Sequence, residues 1–192
     1  MPAGLILVDI QNDYFPGGKM ELEGSEQAAQ AAGRLLKFFR EQKLPIVHIQ
    51  HLAILPGSTF FIPQTPGVEI RADVQPLSNE TVIQKHFPNS FRETGLLAHL
   101  QKQNIDQLVV AGMMTHMCID ATARAAADFG FECRIAQDAC ATRSLTMNDK
   151  EVSASDVHTA FLAALNGAYG RVISAGAVME ELRDEGNSGT DV

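Results

Sequence analysis

Six short apolar runs, each divided from the next by a stretch of helical patterning, constrain this chain more than any other feature. The first, Ala3 to Asp9 (AGLILVD), is continuously apolar and ends in a carboxylate. That is the pattern of a strand buried on both faces of a parallel sheet. Ile46 to Gln50, Thr81 to Lys85, Leu108 to Ala111, Glu132 to Ala136 and Arg171 to Ser174 read as the remaining strands. Between them the sequence predicts helices over Glu26 to Gln42 with Ser25 as N-cap, from a cap at Asn89 or Ser90 to Gln103, over Ile119 to Phe129, from Ser153 or Ser155 to Asn166, and over Ala177 to Arg183. Strands alternating with helices imply an α/β fold, a parallel sheet with helices on both faces and right-handed crossovers.

The chain of 192 residues has the length of one domain, and nothing resembling a linker divides it. The domain is expected over residues 1–185, and the polar, Gly-rich residues 186–192 as a flexible tail. Net charge is -8 and the 15 Lys and Arg are scattered, which argues against a nucleic-acid partner. Cys118, Cys133 and Cys140 form an odd set without a C-x-x-C pair, so neither a disulfide framework nor a cysteine zinc site is expected. No signal-peptide pattern and no 18-residue apolar span occur, and a cytoplasmic protein without membrane contact is the expectation. A long stretch punctuated by Pro56, Gly57, Pro63, Pro66, Gly67 and Pro76 reads as a binding loop with an apolar tip at Phe60, Phe61 and Ile62.

Ligands of open parallel sheets gather beyond the carboxyl ends of the strands. That rule brings Asp9, Lys85 and the turn before Cys118 to one edge. With Thr115 as N-cap, Cys118 would sit at a helix start, where free N–H groups and the helix dipole lower thiol pKa. Asp9 is then a base for the thiol, Lys85 the cation that stabilises both anions, and the turn's N–H groups an oxyanion hole. Asp13 competes with Asp9 as base and His86 with Lys85 as cation. Gln11, Phe15, Phe91, His116 and Met117 are candidates for the pocket wall, although aromatics and methionines also serve simply as core. Cys118 and Arg124 also fit C-x5-R, the phosphatase spacing. The run between them is helix-forming, however, and Asp120, Arg124 and Asp128 have the spacing of a charged helix face.

Asp9 to Phe15 (DIQNDYF), Lys85 at its strand end and Gly112 to Thr122 (GMMTHMCIDAT) together resemble the isochorismatase-like cysteine hydrolases, in order across nearly the whole chain. The resemblance implies a three-layer α/β/α, Rossmann-like domain with a six-stranded parallel sheet and an Asp9–Lys85–Cys118 triad. It further implies a cis peptide at Met113–Met114 that turns N–H groups toward an oxyanion, and a homo-oligomer, dimer or tetramer. The second strand carries His48-Ile49-Gln50-His51 rather than the Asp-x-His metal motif of nicotinamidases, so no metal or other cofactor is expected. The activity implied is cysteine-dependent hydrolysis of an amide, imide or ureide C–N bond in a small molecule. The alternatives are isochorismatase-type hydrolysis of a vinyl ether and a non-catalytic small-molecule-binding protein.

Overall fold

Leu5, Ile6, Leu7 and Val8 are all buried because their strand, β1 (Ala3–Val8), runs through the middle of the molecule. Alternate residues of a strand face opposite sides. Leu5 and Leu7 accordingly pack with one helical layer, and Ile6 and Val8 with the other. The structure, a computed structural model, describes residues 3–188. After β1 come α1 (Ser25–Glu41), β2 (Ile46–His51), β3 (Thr81–Lys85), α2 (Leu96–Lys102), β4 (Gln107–Met113), α3 (Asp120–Asp128) and β5 (Glu132–Ala141). A small hairpin, β6 (Leu145–Met147) with β7 (Lys150–Val152), leads to α4 (Ala154–Leu165), β8 (Arg171–Ile173) and α5 (Ala175–Ser188).

The main sheet has the order β3-β2-β1-β4-β5-β8 with every pair parallel, and α1 and α5 cover one face. The opposite face is packed by α2, α3 and α4. The three-layer α/β/α fold and six-stranded parallel sheet expected from the sequence are therefore present. Strand order reverses between β1 and β4, and the crevice at such a switch point is where open sheets of this kind hold ligands. Among the described residues, no helix is long and apolar enough to cross a membrane.

Several expected boundaries move, each for a local reason. Gly24, not Ser25, is the N-cap of α1: its left-handed φ of 71° makes the turn, and Ser25 is the buried first helical residue. Asn89 and Ser90 cap no helix, because Glu93 at φ 57° interrupts the backbone and α2 begins only after Gly95. Ser90 instead binds Thr122 of α3, with its N–H donating to the Thr122 hydroxyl at 3.1 Å and the two hydroxyls 2.8 Å apart. β5 continues to Ala141 rather than stopping at Ala136, so Cys140 lies inside it. The hairpin β6–β7 has no counterpart among the elements expected from the sequence. α5 runs on to Ser188, into the segment expected as a tail, and residues 189–192 lie outside those described.

Candidate active site

β1 pairs with both β2 and β4, with Val8 opposite Ile49 and Gly112, so the residue after Val8 emerges at the switch point. That residue is Asp9, fully buried and held at a left-handed φ of 52° by the hydrogen bond from its N–H to Ile49 O at 3.1 Å. A non-glycine residue in this region marks a backbone constrained by its surroundings. Lys85, the last residue of β3, stands opposite His51 and extends its stem across to the same point. Its Nζ lies 2.8 Å from Asp9 Oδ2 and donates to Pro88 O at 2.7 Å. The contact with Asp9 is a buried ion pair, and the Cys118 thiol is another polar neighbour of the carboxylate. An ion pair taken wholly out of water is a costly arrangement, the sort that functional sites retain.

The thiol reaches the pair through an irregular turn. Gly112 has a φ of 134°, and a Cβ there would lie 2.0 Å from Val8 O, so only glycine lets β4 approach β1 at this end. The Met113–Met114 peptide is cis, as the resemblance implied. Met114, rather than Thr115, is then the N-cap of a single π-turn, Thr115–Ile119, which precedes α3. Met114 O accepts from the N–H groups of both Met117 and Ile119, at 3.0 and 3.2 Å. Thr115 ties the turn elsewhere, its hydroxyl donating to Ala141 O at 3.2 Å and lying 2.9 Å from His158 Nδ1. The π-turn delivers Cys118, 4% exposed, to the Asp9 carboxylate. One ligand-type atom from each of Asp9, His51 and Cys118 lies within 4.8 Å of the others.

The electrostatics differ from the sequence expectation at the thiol. Burial, reinforced by the Asp9 charge, pushes the Cys118 pKa well above its ordinary range despite the opposing Lys85 ammonium. Burial disfavours the thiolate by itself, the neighbouring carboxylate disfavours it further, and together they outweigh the pull of a helix start. For Lys85 burial acts to lower the pKa, but the Asp9 and Cys118 charges outweigh it and the net shift is upward. The site at rest is thus a neutral thiol beside a carboxylate–ammonium pair. The grouping of Asp9, His51 and Cys118 is compact enough for a cation, yet Lys85 already occupies the position against Asp9 Oδ2. His51 is held neutral, since burial lowers its pKa more than Asp9, 4.0 Å from its Nδ1, raises it.

Of the pocket candidates, His116 and Met117 belong to the π-turn itself. His116 Nδ1 lies 2.5 Å from the Thr142 hydroxyl, its ring edge meets Phe161, and Met117 is half-exposed. Gln11 is spent on structure: its amide donates to His51 O and Val68 O, at 2.9 and 2.8 Å, and accepts from His51 N–H at 2.7 Å. Phe15 is fully buried under the Arg71 guanidinium, and Phe91 packs with Phe129 and Phe131. Asp13, the rival base, accepts from Phe61 N–H at 2.6 Å and Lys19 N–H at 3.1 Å. His86, the rival cation, lies with Nδ1 2.9 Å from Leu52 O. Arg124 binds Asp120 one turn away, as a surface helix pair.

Two residues of the site escape the sequence reading. Tyr14, beside the Phe15 chosen for the wall, is buried, packs on Phe61 with ring centroids 4.6 Å apart, and feels the charges at Cys118 and Asp9. Arg143, just past β5, acts on both Tyr14 and His116. Tyr14 was readable from its five-residue spacing after Asp9 within DIQNDYF; Arg143 carried no local signal. The apolar loop tip closes over this side, with Phe61 also 5.8 Å from the His51 ring. Two clefts open beside the site: one of about 380 Å³ lies between the Asn12–Lys19 turn and Thr59–Arg71, and one of about 270 Å³ among Glu23, Thr142 and His158. The cleft beneath Arg40, Pro45 and Thr81 is at the opposite edge, where β2 and β3 begin.

A doubly wound parallel sheet with a carboxylate, an ammonium and a thiol gathered at its switch point is the layout of an α/β enzyme. Residues 3–176 match the family model of the Isochorismatase domain, and the chain belongs to the isochorismatase family of hydrolases. It is 51% identical over 180 residues to the isochorismatase family protein YddQ of Bacillus subtilis, covering 94% of this chain and 100% of that one. The crystal structure of an isochorismatase hydrolase from Oleispira antarctica superposes with a TM-score of 0.89 at 45% identity, over 93% of this chain and 96% of the other. Maleamate amidohydrolase of Pseudomonas putida is 26% identical over 193 residues, 93% of this chain and 86% of its own.

Proposed function

We propose that this enzyme hydrolyses a C–N bond to a carbonyl carbon in a small molecule, through a thioester on Cys118. The observation that carries the reading is the Asp9 carboxylate, which is fully buried, paired with the Lys85 ammonium at 2.8 Å and within 4.8 Å of the Cys118 thiol. A likeness to an amidohydrolase among its relatives supports the choice of bond.

Because the resting thiol is neutral, attack and proton transfer go together. Sγ bonds to the carbonyl carbon while its proton passes to Asp9, and the carbonyl oxygen takes the negative charge. The expected hole for that oxygen is formed by the backbone N–H groups of Met113, Met114 and Cys118. The C–N bond then breaks, Asp9 returns the proton to the leaving nitrogen, and an acyl thioester remains. Water, deprotonated by Asp9, attacks the thioester; the C–S bond breaks and the thiol regains its proton. Lys85 keeps its proton throughout and offsets whichever anion is present.

The test is a panel of simple amides together with isochorismate, scored for ammonia and for pyruvate. Cys118→Ala and Asp9→Asn should each lower ammonia release by about 10³-fold or more with circular dichroism unchanged. Pyruvate released from isochorismate at an undiminished rate by Cys118→Ala would replace this reading with vinyl-ether hydrolysis.

A further inference from the structure

We propose that Arg143 makes the site selective for amides that also bear a carboxylate, so that the substrate is a short acid-amide or acid-ureide rather than a neutral amide. The inference rests on the functional reading above and adds the chemical class of substrate. β5 pairs Ala141 with Met113, the residue that begins the cis peptide, and Ala141 O accepts from the Thr115 hydroxyl. The next residue, Thr142, is buried and fixed on two sides, by His116 through its hydroxyl and by the Glu23 N–H, which donates to its carbonyl at 3.0 Å. Arg143 therefore leaves the sheet alongside the cysteine turn from an anchored backbone, at the carboxyl end of the strand next to β4.

Its guanidinium is exposed and, among the described residues, has no hydrogen bond or ion pair. Arg124, Arg134 and Arg171 by contrast each hold a carboxylate. Charge accounting at the site points the same way. Asp9 and Lys85 cancel, the Cys118 thiol is neutral, and Asp13 is committed to two backbone N–H groups. His51 and His116 are neutral, each first through burial. Arg143 is a cation without a carboxylate partner beside the cysteine turn, on a chain whose net charge of -8 gives anions no general welcome. Its charge reaches Tyr14, which also feels the thiol, and His116 of the cysteine turn. A guanidinium fork of this kind matches a carboxylate in two parallel hydrogen bonds.

The experiment compares malonamate, succinamate and glutaramate with malonamide, succinamide and glutaramide. The wild type should turn over at least one acid-amide with kcat/KM about 10-fold or more above its diamide, the scale of a charge-assisted hydrogen bond. Arg143→Gln should erase that preference by raising KM with little change in kcat, and Arg143→Lys should restore part of it. A second arm needs no turnover: malonate, succinate or glutarate should slow iodoacetamide labelling of Cys118 in the wild type, and not in Arg143→Gln. Equal use of acid-amide and diamide, an anion preference that survives in Arg143→Gln, or labelling that none of the three dicarboxylates slows would each overturn the proposal. Cys118-dependent hydrolysis of neutral amides would leave the functional reading standing while removing this one. Dicarboxylate protection alongside full activity of Cys118→Ala would do the reverse.

Discussion

Asp9 concentrates the chemistry of the molecule in one residue: a buried charge, a left-handed backbone and a carboxylate close to both an ammonium and a thiol. Its compensation is Lys85, itself buried, at 2.8 Å. Removing one partner of such a pair strands the other charge, so Lys85→Met should cost about 3–5 kcal/mol in urea unfolding, and adding Asp9→Asn should recover much of it. A single variant within about 1 kcal/mol of the wild type would show that Asp9 is not held charged by Lys85. Asp9, Lys85 and Cys118 were legible in the sequence because each ends a strand or its turn, and strand ends of a parallel sheet converge. Gln11 was not, because its partners lie 40 and 57 residues away on a loop whose path no local pattern dictates. The acidity of Cys118 was misjudged for a related reason: a helix start can be read from neighbours in sequence, whereas burial depends on the whole fold.

At the scale of elements, the thiol is aimed by a mismatch between β4 and β5. Val110 faces Ile135, yet Gly112 faces Cys140, so β5 bulges by several residues while β4 advances by two. Bulges of this kind bend a strand and re-aim the side chains beyond them. The sequence predicted β5 only as far as Ala136, where the regular register ends. Gly112 is the hinge of the arrangement, and Gly112→Ala should destabilise by about 2–4 kcal/mol because Val8 O occupies the space a Cβ needs. Gly130, at φ 90° with nothing within 4 Å of an added methyl, supplies the control. Its alanine variant should lose only about 1 kcal/mol, and equal losses at both sites would contradict the steric account. Farther out, Glu80 ties α1 to the turn before β3. Burial acts to raise its pKa, but Arg40, the Leu77 N–H and His48 together bring it down to about 2. That network, which sets where β3 and hence Lys85 begin, links residues too far apart in sequence to be read from it.

For the whole molecule, the sheet order could be expected only in outline, since alternation predicts parallel strands and not which of them lie adjacent. The observed order puts Asp9 and the cysteine turn on the two strands flanking the switch point. The same dry core governs the response to pH. Burial first, then neighbouring charge, raises Cys133 and Cys140 from 9.0 to about 12, and Cys118, Lys85 and Tyr14 shift in the same direction. An unfolded chain releases the thiol protons near pH 9 while the folded chain keeps them to about pH 12, so this stability is whole below pH 9 and falls as pH rises toward 12. Each thiol contributes about 1.4 kcal/mol per pH unit in that window, and Tm should drop by about 5–15 °C between roughly pH 8.5 and 10.5. A Tm that stays level across that range would mean the thiols are not buried as described. The central claim, that Cys118 carries the acyl group, is tested most directly by intact mass spectrometry of the enzyme quenched in acid during turnover of its best amide. The account predicts an acyl adduct that maps to the peptide bearing Cys118 and is absent from Cys118→Ala. Turnover with no adduct at any quench time, by an enzyme whose Cys118→Ala variant is equally active, would contradict it.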